Sequence, residues 1–237
     1  MSNNFFKFKQ FTIYQDQCAM KVGTDGVLLG AWTNVSTCKR VLDAGTGTGL
    51  LALMIAQRNT NAVIDAIDID KHCVLQAQDN VRKSPFNNRI AVKELSFQDM
   101  VFRKNKKYDL IVSNPPYFQN SLKSPNALRN YARHIDRFSF YELISEGADL
   151  LSENGVISLI LPYSYKDDLL KHAAAENFFA YRITHVYPLA HKPAKRLLVE
   201  LGKKKQPLIH ENLVIENSRH KYTTQFNTLT KAFYLSK

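Results

Sequence analysis

An α/β domain with a mostly parallel central sheet is what this sequence predicts. Short, nearly unbroken apolar runs of strand length alternate with helix-length segments from Arg40 to Leu161, and the runs end in turns rich in glycine, acid or proline. Strands that read as continuous apolar runs are buried on both faces, and their alternation with helices implies a parallel sheet covered on each side.

The elements follow in order. Phe5–Tyr14 reads as a hairpin, and Thr24 as a cap for a short helix over Asp25–Trp32. Arg40–Asp43 is a first strand, followed by glycines and the helical stretch Leu50–Arg58. Ala62–Asp68 is a second strand, Lys71–Lys83 a helix, Arg89–Glu94 a third strand and Tyr108–Ser113 a buried fourth. Phe138–Leu151 carries helical periodicity, Gly155–Leu161 is another buried strand, and Lys166–Asn177 another helix. The strand-like segments Tyr181–Tyr187 and Arg196–Leu201 suggest an antiparallel pair at one edge. Residues 1–35 are expected to form a hairpin and short helix packed on a main domain of residues 36–237, for no linker-like tract divides the chain.

With 237 residues, 45% of them apolar, the chain can bury a substantial core. The apolar runs are too short to cross a bilayer, and the Phe- and Lys-rich start lacks the apolar stretch of a signal peptide. Cys18, Cys38 and Cys73 stand far apart with no Cys/His cluster, so neither a zinc site nor a disulfide framework is expected, and a reduced, cytoplasmic setting is the simplest reading. No metal is expected; a monomer is assumed. Lysines and arginines outnumber acids by 32 to 21, a net charge of +11 that suits a polyanionic partner. They cluster at Arg103–Lys107, Arg129–Arg137, Lys192–Arg196 and Lys203–Lys205. Any one cluster, Lys203–Lys205 above all, could equally be a solvated surface.

Ligands in such sheets lie beyond the carboxyl ends of the strands. The first of these turns runs Asp43-Ala44-Gly45-Thr46-Gly47-Thr48-Gly49. Its glycine spacing does not match the dinucleotide fingerprint, and without a following Lys-Ser or Lys-Thr it is not a phosphate loop. An acid followed by glycines lets backbone approach a ligand closely. The second strand ends at Asp68, a carboxylate suited to accepting hydrogen bonds from ribose hydroxyls, although Asp70 is a competitor that would otherwise cap the next helix. After the third strand comes Phe97-Gln98-Asp99, whose Asp99 could be simply a loop acid.

The fourth strand runs into Asn114-Pro115-Pro116-Tyr117. Prolines can simply terminate a strand, but that does not select an amide before them and an aromatic after them. An amide oxygen and a stiffly held carbonyl can accept both hydrogens of a planar amine, and an aromatic face can stack a planar base. Beyond it, Lys123, Arg129, Arg133 and Arg137 lie in a basic segment; Arg129 and Arg133 share a face if it is helical. They suit contacts to phosphates or to an unstacked base, or are solvated charges on a surface helix.

The Asp-x-Gly-x-Gly-x-Gly turn resembles the first motif of class I (Rossmann-like) S-adenosylmethionine-dependent methyltransferases, whose fold is a mostly parallel seven-stranded sheet with an antiparallel edge. Asn-Pro-Pro-Tyr resembles the signature of amino-methyltransferases acting on base amines and glutamine amides. The resemblance implies S-adenosylmethionine as methyl donor, bound by Asp43, Gly45, Gly47, Gly49, Asp68, Asp99 and Asn114, with Asn114, Pro115, Pro116 and Tyr117 at the chemistry. Lys21–Trp32, the glycine turn, Ser113–Phe118 and Leu229–Leu235 together are similar to the bacterial tRNA adenine-N-methyltransferases that modify valine tRNA beside the anticodon. That likeness implies tRNA as partner and Thr24 as a cofactor contact, an alternative to its role as a helix cap. Three rivals stay open: a glutamine methyltransferase acting on release factors, a guanine-amine rRNA methyltransferase, and a non-catalytic RNA-binding protein on this fold. The first normally carries a sizeable N-terminal helical domain, where this chain has about forty residues before its first sheet strand.

Overall fold

The computed structural model describes residues 3–18, 20–103, 106–116 and 139–235. A hairpin of β1 (Phe5–Lys7) and β2 (Thr12–Tyr14) leads to α1 (Thr24–Trp32). There follow β3 (Arg40–Ala44), α2 (Leu50–Arg58), β4 (Val63–Asp68), α3 (Lys71–Arg82), β5 (Ile90–Glu94), α4 (Phe97–Arg103) and β6 (Tyr108–Ser113). The second half holds α5 (Phe140–Gly147), β7 (Leu151–Pro162), α6 (Lys166–Ala175), β8 (Phe179–Leu189), β9 (Arg196–Gly202), β10 (Ile209–Ser218), β11 (Lys221–Tyr222) and α7 (Thr224–Thr230).

Among the described residues the main sheet has nine strands in the order β11-β10-β8-β9-β7-β6-β3-β4-β5. Strands β5, β4, β3, β6, β7 run parallel, as do β8 and β10; β9 is antiparallel to both of its neighbours, β7 and β8. The seven strands from β5 to β8 are the class I methyltransferase arrangement, and β10 and β11 extend it. The antiparallel pair is therefore not at the edge, as its sequence suggested. Leu197, Leu198, Val199 and Leu201 of β9 are all wholly buried, an apolar run on both faces that belongs inside a sheet. β10, whose Ile209–Ser218 mixes charges with aliphatics, takes the outer place.

Two apolar layers sandwich the sheet. One gathers α1, α2, α7 and the hairpin, through Leu28, Leu53, Met54, Phe8, Phe226 and Phe233 among others. The other gathers α4, α5 and α6 through Met100, Leu143, Ile144, Leu169 and Ala173. Each such side chain taken fully out of water contributes about 1.5–3 kcal/mol, before chain entropy is set against it. Helix α5 begins later than its periodicity implied because Ser139 caps it, in a capping box with Glu142. It also ends earlier, since Leu151 already belongs to β7. Trp32 closes the α1 side: its indole N–H donates to Thr184 Oγ1 (2.8 Å) and the Arg182 guanidinium lies 3.8 Å from its ring centre.

The N-terminal segment is fastened to one face of α3. Asn80, wholly buried, accepts from the Tyr14 amide and donates to the carbonyls of Tyr14 and Thr48, each at 2.9 Å. One turn earlier, Gln76 accepts from the Gln17 amide (3.0 Å), and another turn earlier Cys73 forms a disulfide with Cys18. This bond corrects the expectation of unpaired cysteines. The partners lie 55 residues apart, and only the docking of the N-terminal segment on α3 brings them together, which spacing alone does not reveal. Cys38 is free and buried. None of the helices among the described residues is long and apolar enough to cross a membrane.

Asn80→Ala strands one buried and two partly buried backbone groups at once, which should cost about 3 kcal/mol. The expected result is a melting midpoint lower by roughly 6–12 °C, together with faster amide exchange at Tyr14 than at the β3 core. Unchanged exchange at Tyr14 would show that Asn80 does not hold the segment.

Candidate active site

The site is assembled at the carboxyl ends of β3, β4 and β6, around the glycine turn. Gly45, Gly47 and Gly49 all have positive φ, of 73°, 56° and 83°. At Gly49, the N-cap of α2, a side chain would also meet Ala77 Cβ at 3.4 Å. Over Gly47 the nearest atom to an added Cβ is Cys18 Sγ at 3.9 Å, so the disulfide stands beside the turn.

Two acids hold this backbone. Asp43, with no exposed surface, accepts from Thr46 Oγ1 (2.6 Å) and the Ala52 amide (3.0 Å) through Oδ2, tying the turn to the start of α2. Its Oδ1 is buried without a partner. Burial pushes the Asp43 carboxyl up to about 7; the hydrogen bonds from Thr46 and Ala52 oppose this, and the nearby charge of Asp68 adds to it. Asp68 reaches across from β4: Oδ2 accepts from the Gly47 amide (2.8 Å) and Oδ1 from the Asp70 amide (3.0 Å). The Gly45 and Thr46 amides both donate to the Ile67 carbonyl at 2.9 Å, which ties the turn to β4.

The competition between Asp68 and Asp70 is decided locally. Asp70 is the N-cap of α3, accepting from the His72 (2.8 Å) and Cys73 (3.4 Å) amides. Asp68 is thereby left at the glycine turn. The reading of Thr24 as a helix cap is corrected: Gly23 is the N-cap of α1, without a side-chain cap, and Thr24 is the exposed first residue of the helix. Asp25 beside it binds Arg196 at the start of β9 (2.7 Å). Asp99, exposed in the first turn of α4, accepts from Ser96 Oγ (2.7 Å), while its amide donates back to that oxygen (3.0 Å).

Asn114 is half-buried and Pro115 buried, directly beyond β6. A residue that the sequence reading passed over connects them to the turn: Ser113, wholly buried, donates to the Ala44 carbonyl at 2.6 Å. Thr46 was likewise missed as the partner of Asp43. Both are small hydroxyl residues beside a motif, the only signal that could have raised them. Thus Asp43, Gly45, Gly47, Gly49, Asp68 and Asn114 are brought to one end of the sheet, with Asp99 on the helix after β5. Tyr117, Lys123, Arg129, Arg133 and Arg137 lie outside the described residues. A cavity of about 900 Å³ opens at the opposite end of the sheet, among Asp109, Ser152, Arg182 and Glu200, and holds none of the motif residues. Among the described residues no group of three or more His, Cys, Asp or Glu could hold a metal.

The Methyltransferase small domain family profile matches residues 21–166. The chain is 50% identical over 238 aligned positions, covering 99% of both chains, to the tRNA1(Val) (adenine(37)-N6)-methyltransferase of Parabacteroides distasonis. This chain belongs to that methyltransferase family. The enzyme of the same name from Trichodesmium erythraeum is 46% identical, again over 99% of each chain. Among solved structures, a "predicted O-methyltransferase" from Agrobacterium tumefaciens superposes with a TM-score of 0.69 at 20% identity, covering 88% of this chain and 96% of its own. That likeness establishes the class I S-adenosylmethionine-dependent methyltransferase fold.

Asp43 gives the family's glycine turn a pH signature. An ordinary aspartate in the unfolded chain loses its proton near pH 4, whereas the native one holds it to about 7. Between these values the folded state binds more protons, so Asp43 makes stability fall as pH rises. Asp43→Asn should remove that contribution. Melting curves at pH 5 and 7.5 are expected to differ less for the variant than for the parent, and superimposable pH profiles would contradict the buried, proton-retaining carboxyl.

Proposed function

We propose that the protein transfers a methyl group from S-adenosylmethionine to the exocyclic amine of adenosine 37, beside the anticodon of valine tRNA. The name of relatives that match over nearly the whole chain supports this, as does the charge of +11. The observation that carries the reading is Asn114 at the end of β6, joined through the Ser113–Ala44 hydrogen bond to the glycine turn.

The residues fit the methyl donor. Asp43 Oδ1 is a buried acceptor without a partner, suited to the donor's ammonium end. Asp68 has two carboxylate oxygens that could exchange the Gly47 and Asp70 amides for ribose hydroxyls. The positive φ of Gly47 presents bare backbone at the turn. Asp99 is assigned to the adenine amine and Thr24 to the methionine end, roles that follow from the family resemblance. When bound, S-adenosylmethionine supplies a sulfonium methyl that is already electrophilic.

The protein's task is to orient the amine. Its nitrogen lone pair is delocalised into the base, which makes it a weak nucleophile. Asn114 Oδ1 and the Pro115 carbonyl accept the two amine hydrogens, which favours a more pyramidal nitrogen and stabilises the positive charge that develops in transfer. Pro115 and Pro116, lacking N–H groups and with fixed φ, hold these acceptors stiffly. Tyr117 stacks on the unstacked base. In-line transfer then depends on alignment more than on a strong general base. Lys123, Arg129, Arg133 and Arg137 contact phosphates around the target. A tRNA substrate assigns the enzyme to the cytoplasm, where Cys18 and Cys73 would stand mostly as thiols.

Asn114→Ala tests the reading in single-turnover transfer to a valine tRNA with adenosine next to the anticodon. The rate should fall by about 100- to 1000-fold, with adenosylmethionine affinity unchanged by calorimetry. Transfer at the parental rate would remove Asn114 from the mechanism. If the parent protein instead methylates a release-factor glutamine and ignores tRNA, the amide reading replaces the nucleic-acid one.

A further inference from the structure

Toward its β10 side, the second face of the sheet carries half-buried and exposed side chains. On β8, Arg182, Thr184 and Val186 point toward α1, and Glu211 of β10 turns the same way, accepting from the Trp32 indole (3.3 Å) and from Thr184. Ile183 enters the opposite core beneath α6. Beyond Ile183, strand alternation brings His185 and Tyr187 to that second face, and on β10 it brings His210 and Asn212. His185 and Tyr187 are half-buried, and His210 and Asn212 are exposed.

Rings line this face in an unbroken series. His210 and His185 are stacked, with centroids 5.9 Å apart and planes at 10°. His185 lies 5.5 Å from Tyr163, and its Nδ1 is 3.1 Å from the Tyr163 hydroxyl. Lys166 Nζ stands 5.9 Å from the Tyr163 ring centre. Tyr163 follows β7 directly, and β7 pairs with β6, the strand that Asn114 follows. From β7 to β10 the series crosses three strand spacings, about 14 Å.

Cations border it. The turn between β8 and β9 carries Lys192 and Lys195, both exposed, and it packs against the start of the series: the Tyr163 amide donates to the Lys195 carbonyl at 3.0 Å. The nearby acids have other employment. Asp167 and Asp168 lie in the first turn of α6, where carboxylates answer the helix dipole, and Glu216 accepts from the His220 amide (3.3 Å).

Resting on the proposed RNA substrate, we infer that this face of β8 and β10 is a docking platform for single-stranded RNA flanking the target base. Unpaired bases stack on His185, His210 and Tyr163, and Lys166, Lys192 and Lys195 meet the phosphates. Stacking faces interleaved with cations are what a single-stranded polyanion requires, and bases of any identity can use them. The platform starts one strand away from Asn114. It therefore holds the nucleotides next to the one being methylated, without touching the reacting amine.

The test uses the full-length protein, a valine tRNA transcript and its anticodon stem-loop. Binding is read by fluorescence anisotropy at several salt concentrations. His185→Ala with His210→Ala should weaken RNA binding by about 5- to 30-fold with the salt slope unchanged. Lys192→Glu with Lys195→Glu should weaken it and also lower the slope by about one to two. In both, adenosylmethionine affinity and turnover at saturating tRNA should stay within about threefold of the parent, which separates docking from chemistry. His185→Phe with His210→Phe keeps the stacking faces and should restore most of the affinity, which distinguishes lost stacking from a misfolded edge. Parental RNA affinity in both the alanine and glutamate pairs, with Asn114→Ala still inactive, would overturn the platform and leave the proposed function standing. A phenylalanine pair as weak as the alanine pair would overturn the stacking role. Failure of the parent protein to bind or methylate tRNA would instead remove the functional reading beneath it.

Discussion

Positive φ at Gly45, Gly47 and Gly49 has to be held open at a spot where three strands end together. The amides of that turn find partners outside it: Gly45 and Thr46 donate to the Ile67 carbonyl and Gly47 to Asp68, while Asp43 accepts from the Thr46 hydroxyl and from Ala52 of α2. Asp43 secures it from below, through Thr46 and Ala52, and Asp68 from the side, through Gly47. Ser113 then ties the end of β6 to the end of β3. Without these few hydrogen bonds the strands would still pack, since their apolar layers lie elsewhere. The chemical motif and the glycine turn would, however, lose their fixed relation, and alignment is what methyl transfer to a weak nucleophile demands.

The rest of the chain serves that corner at longer range. Helix α3 presents Cys73, Gln76 and Asn80 along one face, and these draw the N-terminal segment over the turn. Asp25 and Arg196 tie the start of α1 to β9, so the segment before α1 is bound at both ends. On the far side β8 and β10 extend the sheet, and they send Ile183, Val186 and Leu213 into the two cores. Their half-buried and exposed rings form the face that the proposed RNA contacts use.

Much of this was legible in the sequence where one physical signal dominated. Leu50–Arg58 and Tyr108–Ser113 were read to the residue, because a glycine turn and a proline pair bound apolar runs that have no other way to be buried. Asp43 and Asp68 were singled out as acids at strand ends beside the glycine turn, and in the fold both hold that turn by hydrogen bonds. The failures have equally specific causes. Ile209–Ser218 was overlooked as a strand because an edge strand with charged and polar residues lacks a clean alternation. The seven-residue α4 is too short to show a period. The antiparallel strand was assigned to an edge because the sequence shows pairing partners for β9 on one side only, and β10 arrives after it. Gly23 took the cap position one residue before Thr24, and Cys18 met Cys73 through a tertiary contact that no local pattern encodes.

What the protein makes decides the account more directly than any variant. tRNA purified from a strain lacking this gene, incubated with the protein and methyl-labelled S-adenosylmethionine, should gain one label, found by nuclease mapping and mass spectrometry as N6-methyladenosine next to the anticodon of valine tRNA. Label on a guanine amine or at another tRNA position, or no RNA label from a protein that binds the donor, would contradict it.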